Sequence, residues 1–173
     1  MKSSNVNIGL SNPKSPENVG SVMRAAGNYR VDQVLYTGSR YERALKLNPD
    51  TPNVSRKVSE NVSLVGVDSL IDDAPAGAKI ICVEFAMDAV SLPLYQHPEK
   101  AYYIFGPEDG TISQDIIDRA DAVVYIPTVG SMNLAATVNV VLYDRLSKLA
   151  DDLGSNELIR NNRDRNNNLK VKN

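Results

Sequence analysis

The sequence predicts an α/β domain, a mostly parallel sheet flanked by helices, and three observations carry that reading. Six short runs rich in β-branched and aromatic residues recur along the chain. Most are continuously apolar rather than alternating, as in strands covered on both faces. Helix-like segments fall between them, and that alternation implies a sheet layered with helices. The third is length: 173 residues with no internal repeat suit one domain of ordinary size.

Asn5–Leu10 ("NVNIGL") is the first strand. A helix follows over Pro16–Tyr29, with Ser15 as N-cap, Pro16 at the first helical position and Glu17 in the first turn. Val19, Val22, Met23 and Ala26 make its core-facing stripe, while Glu17, Gly20, Ser21 and Arg24 share the other face. Gly20 costs about 0.5–1 kcal/mol relative to alanine in a helix. A helix that accepts it suggests open space beside Arg24; read from the residues alone, a solvated arginine beside an incidental glycine is the plainer alternative. Strands follow at Gln33–Gly38, Val62–Gly66, Lys79–Phe85, Ala101–Gly106 and Ala122–Thr128. Between Gly38 and Val62 lies a polar, basic excursion with a helix in part of Pro52–Glu60. Further helices are expected at Val67–Asp73, at Ser113–Arg119 capped by Ser113, and at Met132–Ala150. In the last of these Leu134, Val138, Val141, Leu142, Leu146 and Leu149 form a long apolar stripe.

Composition excludes several chemistries. His97 is the only histidine, in "LYQHPEK", which reads as a surface loop, so a Ser-His-Asp triad has little to draw on. One histidine and one cysteine do not make a zinc site of the usual nitrogen and sulfur ligands, and no metal is expected. Cys82 lies in the apolar run "KIICVEF" and reads as a small buried hydrophobe; alone, it allows no intrachain disulfide. No apolar run approaches the roughly 20 residues that span a bilayer, and "MKSSNVNIGL" lacks the apolar core of a secretory signal. A cytoplasmic protein is the expectation. The formal net charge is −2, but from Gly154 on the chain has five basic against two acidic residues and many asparagines. Residues 1–152 therefore read as the folded domain and 153–173 as a flexible basic tail. Such a tail either meets a phosphate backbone or only solubilises the end.

In open parallel sheets ligands bind beyond the carboxyl ends of strands, and two strand ends here are unusual. "YYIFGPEDGTIS" leaves its strand through Gly106 and Pro107, presents Glu108 and Asp109, and turns at Gly110. "VVYIPTVGSMNLAA" bends at Pro127, turns near Gly130 and starts a helix near Ser131. Neither matches a phosphate-binding P-loop or a dinucleotide fingerprint. Ser131 and Asn133 are either caps or functional groups.

Three segments stand in fixed order: "SPENVGSVMRAAG", "YYIFGPEDGTIS" and "VVYIPTVGSMNLAATVNVVLYDRL". Together they resemble the three motifs of the SpoU/TrmH branch of SPOUT RNA methyltransferases, over nearly the whole chain to about Ala150. Asn18, Gly20 and Arg24 match the first motif; Phe105, Gly106, Glu108 and Gly110 the second; Ile126, Pro127, Ser131, Met132, Asn133 and Leu134 the third. The resemblance implies a SPOUT-type fold with a deep C-terminal trefoil knot and a homodimer with RNA across its interface. It also implies methyl transfer from S-adenosylmethionine, which leaves as S-adenosylhomocysteine, to a ribose 2′-hydroxyl of tRNA or rRNA, tRNA being favoured. On that basis Arg24, Asn18, Glu108, Ser131 and Asn133 are the expected catalytic residues. Val83, Glu84, Phe105, Gly106, Glu108, Gly110, Ile126, Met132 and Leu134 are the expected cofactor contacts. Base methylation, and a non-catalytic RNA- or nucleotide-binding module on the same fold, are the alternatives. Two departures stand out: the loop "IPTVGS" is shorter than in many members, and the sequence carries no additional RNA-binding domain. Target choice would then fall to the core, the basic excursion, the tail or a partner.

Overall fold

The computed structural model describes residues 5–49, 59–151 and 153–172. Their elements are β1 (Val6–Leu10), α1 (Pro16–Asn28), β2 (Gln33–Tyr36), α2 (Arg40–Leu47), β3 (Ser63–Gly66), β4 (Lys79–Val83) and β5 (Val90–Ser91). A 3₁₀ turn at Leu92–Leu94 then leads to β6 (Ala101–Phe105), α3 (Gln114–Arg119), β7 (Ala122–Tyr125), α4 (Leu134–Leu149) and α5 (Asn156–Asn162). The strands form one seven-stranded sheet in the order β3-β2-β1-β6-β4-β7-β5, and every pairing is parallel.

The two central strands, β1 and β6, are buried at every residue, which is why both read as unbroken apolar runs. Successive side chains point to opposite faces. Ile8, Ile81, Tyr103 and Val124 join the layer of α1 and α4, whose Val19, Val22, Val138 and Val141 cover them. Cys82, Tyr102 and Ile104 face the other way, onto Ile112, Ile116 and Ile117 at α3. Burial pushes the Cys82 thiol up to about 12, so it stays protonated and acts as packing.

Tyr102 lies flat against Gly9 of β1: a Cβ there would come 2.5 Å from its hydroxyl. That hydroxyl is buried and has no hydrogen-bond partner among the described residues. A buried polar group without a partner costs about 1–3 kcal/mol. Tyr102→Phe is therefore expected to stabilise the fold by about 1 kcal/mol and to raise the melting temperature by a few degrees. A lowered melting point would show that the hydroxyl is satisfied after all.

All six expected strands are present, each shorter than its run by one to three residues: β1, β3 and β6 lose one, β2 and β4 two, and β7 three. The two-residue β5 was too short to leave a pattern. Val67–Asp73 is not a helix. Ser69 and Asp73 close it as a compact turn, the Asp72 and Asp73 N–H groups reaching Ser69 Oγ and O at 3.0 Å each; such local side-chain bonds compete with a helical ladder. Ser113 occupies the N-cap of α3 without making a side-chain cap bond. The helix expected in part of Pro52–Glu60 lies outside the described residues, save Ser59 and Glu60, which sit in a bend and turn. In the basic excursion α2 forms an amphipathic helix with no buried residue, and the tail carries α5, also without one. No helix of the described residues is long and apolar enough to cross a membrane.

His97 corrects the surface-loop reading, being only 7% exposed. One ring nitrogen meets the Tyr103 hydroxyl and the other the Asp144 carboxylate at 2.8 Å. Arg145 donates to the Pro98 and Glu99 carbonyls at 2.6 Å each. Burial holds the imidazole below its ordinary pKa, against the pull of Asp144. Tyr103 lies on β6 and Asp144 on α4, the latter 47 residues away, so the pattern around His97 did not announce its burial.

Candidate active site at the ends of β6, β4 and β7

Strands β6, β4 and β7 lie side by side, so the segments leaving their carboxyl ends meet. They enclose a cleft of about 700 Å³, counted to its open mouth. Val83 ends β4 and Glu84 follows it, Phe105 ends β6 with Gly106, Glu108 and Gly110 in the loop beyond, and Ile126 follows β7. Ser131, Met132 and Leu134 close it from the start of α4. The structure thus gathers all nine expected cofactor contacts on one surface, with Ser131 beside them. Sequence reasoning missed Phe85, Pro107, Tyr125, Thr128 and Thr137, which also line it. Phe85 and Tyr125 follow or end their strands and pack as a tilted ring pair with centroids 6.2 Å apart; extending the strand-end rule by one residue would have found both.

Gly106 is bare backbone on the cleft wall. A Cβ there would come 3.2 Å from Glu84 Oε2 and 3.3 Å from Ile112 N. Glu84 occupies that side, accepting from Ile112 N–H and Phe85 N–H at 3.0 Å each. Its carboxylate fastens the end of β4 to the loop after β6.

Glu108 and Asn18 together join the three sequence segments. Its Oε2 accepts from the Lys14 N–H at 2.9 Å, and its Oε1 from the Ser15 N–H at 3.0 Å and Asn18 Nδ2 at 3.2 Å. Asn18 Oδ1 accepts in turn from Asn133 Nδ2 at 3.0 Å. Asn133 caps α4, its Oδ1 accepting from the Ala135 N–H at 2.9 Å. Ser15 caps α1 through Asn18 N at 3.2 Å. Asn18 and Asn133 are thus rim residues, locked in orientation, rather than cleft lining. Arg24 stands apart from them. Six residues along α1 carry it about 9 Å in rise from Asn18. Its side chain is exposed and takes no hydrogen bond or ion pair among the described residues.

Burial raises the Glu108 pKa most strongly of any single influence, yet its own and the Ser15 and Lys14 N–H groups, with Asn18, together hold it below the ordinary value. A depressed carboxylate stabilises the fold above its unfolded pKa, about 4.3. That stabilisation is lost as pH falls toward the lower folded value. Glu108→Gln also turns an amide toward N–H donors. It is therefore expected to melt below the parent at pH 7, the gap narrowing as pH drops below about 4. A gap that does not depend on pH would separate Glu108 from this titration.

The family model described as the SpoU rRNA methylase family matches residues 5–143. The chain belongs to that family. It is an RNA methyltransferase of the SpoU class. Its fold is similar to that of the A. aeolicus TrmH/SpoU tRNA modifying enzyme, with TM-score 0.69 and 17% identity over 84% of this chain and 75% of that one. It is also similar to a structure described for the 2-OH methylation of C/U34 on tRNA, with TM-score 0.68 and 24% identity over 83% and 90%. A third is the AdoMet-bound rRNA methyltransferase of Sinorhizobium meliloti, with TM-score 0.64 and 18% identity over 83% and 56%. At these identities the likeness is one of fold. No curated protein matches this SpoU-family chain in sequence.

Proposed function

We propose that this protein transfers a methyl group from S-adenosylmethionine to a ribose 2′-hydroxyl of RNA, tRNA being the favoured substrate. The observation that carries the reading is the Glu108–Asn18–Asn133 chain of hydrogen bonds, which unites three distant segments at the rim of one cleft. The cleft suits the cofactor: the bare Gly106 backbone and the apolar Val83, Phe105, Ile126, Met132 and Leu134 fit a nucleoside, and Glu84 and Glu108 suit hydroxyls and a cationic centre. When bound, S-adenosylmethionine supplies an electrophilic methyl group.

The protein's own part is to orient. Asn18 and Asn133 arrive with their amides already fixed, and Ser131 offers a hydroxyl at the cleft wall. Arg24 holds a substrate phosphate through its planar fork and aligns the hydroxyl. A guanidinium with pKa above about 12 is too basic to serve as a resting base; the proton leaves late, through Arg24 or to a phosphate oxygen. An Arg24 set apart from its own cleft supports RNA lying across two copies of the chain. So do Tyr143, Leu146 and Leu149, which leave 63%, 44% and 45% of their surface exposed on α4. The deep trefoil knot is part of the same proposal, supported by an order in which β6 inserts between β1 and β4 and β7 between β4 and β5. So is the division into a methyltransferase unit of residues 1–152 and a basic tail of residues 153–173 that approaches RNA phosphates.

The test is nucleoside mass spectrometry of tRNA and rRNA from a deletion strain, before and after treatment with the protein and S-adenosylmethionine. Restoration of one 2′-O-methyl nucleoside is expected. A methylated base instead would move the reading to base methylation, and no transfer despite S-adenosylhomocysteine binding would favour a non-catalytic module. Light scattering at micromolar concentration is expected to give twice the chain mass; a monomer would remove the shared RNA surface.

A further inference from the structure

We propose that Arg40 is a positioning residue, a strap from the start of α2 that sets the loop bearing Glu108 and so shapes the cleft from a side remote from it. The inference rests on the reading that this cleft takes S-adenosylmethionine. Strands β2, β1 and β6 are neighbours, so the loops at their carboxyl ends lie side by side. Arg40 spans all three. Its Nη1 donates to both Asp109 oxygens at 2.9 Å, in the loop after β6. Its Nη2 and Nε donate to the Asn12 carbonyl at 2.7 and 3.2 Å, in the loop after β1. A rigid guanidinium that serves two loops fixes their separation, which a flexible ammonium cannot do.

The Asn12 end is itself held in place. Asn12 has φ 44°, in the left-handed region, and its N–H faces Thr37 Oγ1 at 3.4 Å. Gly38, at φ +81°, presses so closely that a Cβ would overlap the Asn12 carboxamide. The other end is fixed twice. Asp109 is gripped by Arg40, and its neighbour Glu108 by Lys14, Ser15 and Asn18. Two adjacent carboxylates anchored from different sides leave that stretch of backbone little freedom.

Helix stability does not explain this arginine. A cation in the first turn stands at the wrong end of the helix dipole, and Ser39 before it makes no side-chain cap bond. Nor is this only a surface ion pair of the kind that contributes little: Asp109 is 48% exposed, but the Arg40 side chain is 29% exposed and its Nη2 and Nε also donate to a carbonyl. Lys14 approaches Asp109 only at 3.8 Å.

The test compares Arg40→Met, Asp109→Asn and the double variant with the parent by calorimetric titration of S-adenosylhomocysteine. It adds hydrogen exchange of the Lys14 and Ser15 amides, which read the hold on Glu108. Each single variant is expected to bind about tenfold more weakly and to exchange those amides about tenfold faster, with melting points near the parent's. The double variant should match the singles, because one strap is cut either way. Arg40→Lys, which keeps the charge and loses the fork, is expected to fall between. Parent-like affinity with parent-like exchange would overturn the strap, as would losses that multiply in the double variant. If the parent itself does not bind S-adenosylhomocysteine, the cofactor reading fails, and the exchange rates alone then decide the strap: faster exchange upholds it, unchanged exchange overturns it.

Discussion

Arg24→Lys is expected to abolish most methyl transfer, by about 10²-fold or more, while folding and cofactor affinity stay as in the parent. The structure sharpens that expectation, because Arg24 is exposed on α1 and its side chain bonds to nothing among the described residues. Lysine keeps the charge and has similar helix propensity, and surface replacements of this kind stay within about 0.5 kcal/mol. A change in turnover therefore cannot come from lost stability. It would come from the fork: lysine cannot make two parallel hydrogen bonds to a phosphate, and a misplaced hydroxyl reacts far more slowly. Transfer of labelled methyl to unmodified tRNA and rRNA measures the effect, beside a thermal melt and a cofactor titration. Parent-like turnover on an RNA the parent methylates would return Arg24 to a solvated surface residue.

Gly106→Trp is expected to remain folded and to weaken S-adenosylhomocysteine binding by at least about 100-fold, roughly 2.8 kcal/mol. Gly106 does not need a positive φ, so a side chain does not strain the backbone there. What it meets is Glu84 Oε2 at 3.2 Å and Ile112 N at 3.3 Å from the first carbon onward. Glu84 can yield a little, but the Ile112 backbone, held by that same carboxylate at 3.0 Å, cannot. Gly106→Ala should then cost only a few-fold, the graded response of a wall rather than a collapsed fold. A folded tryptophan variant that binds like the parent would place the cofactor elsewhere.

Much of the site was legible because its segments carry local signals. Gly106–Pro107 and Ile126–Pro127 mark strand exits, and Ser15–Pro16 marks a helix start, each through backbone constraints written in the residue itself. Where a segment lacked such a signal the reading failed. Val67–Asp73 has helical spacing, yet Ser69 and Asp73 turn it. His97 sits among polar and proline neighbours, yet its partners are Tyr103 and Asp144 from other elements. Arg40 was one more charge in a basic excursion until α2 brought it to Asp109, 69 residues on.

The sequence by itself determined the parallel α/β layering, since strands covered on both faces must be apolar throughout, as β1 and β6 are. It also determined which three segments resemble the family's motifs. Only the tertiary structure decided that Asn18, Glu108 and Asn133 form one bonded chain, that Arg24 stands away from it, and that the apolar stripe of α4 is buried at Val138 and Val141 but open at Leu146 and Leu149. The physical reason is range. Backbone propensity and burial periodicity act between near neighbours along the chain, whereas these contacts join residues 90 and 115 positions apart and follow from strand order, which no local pattern encodes.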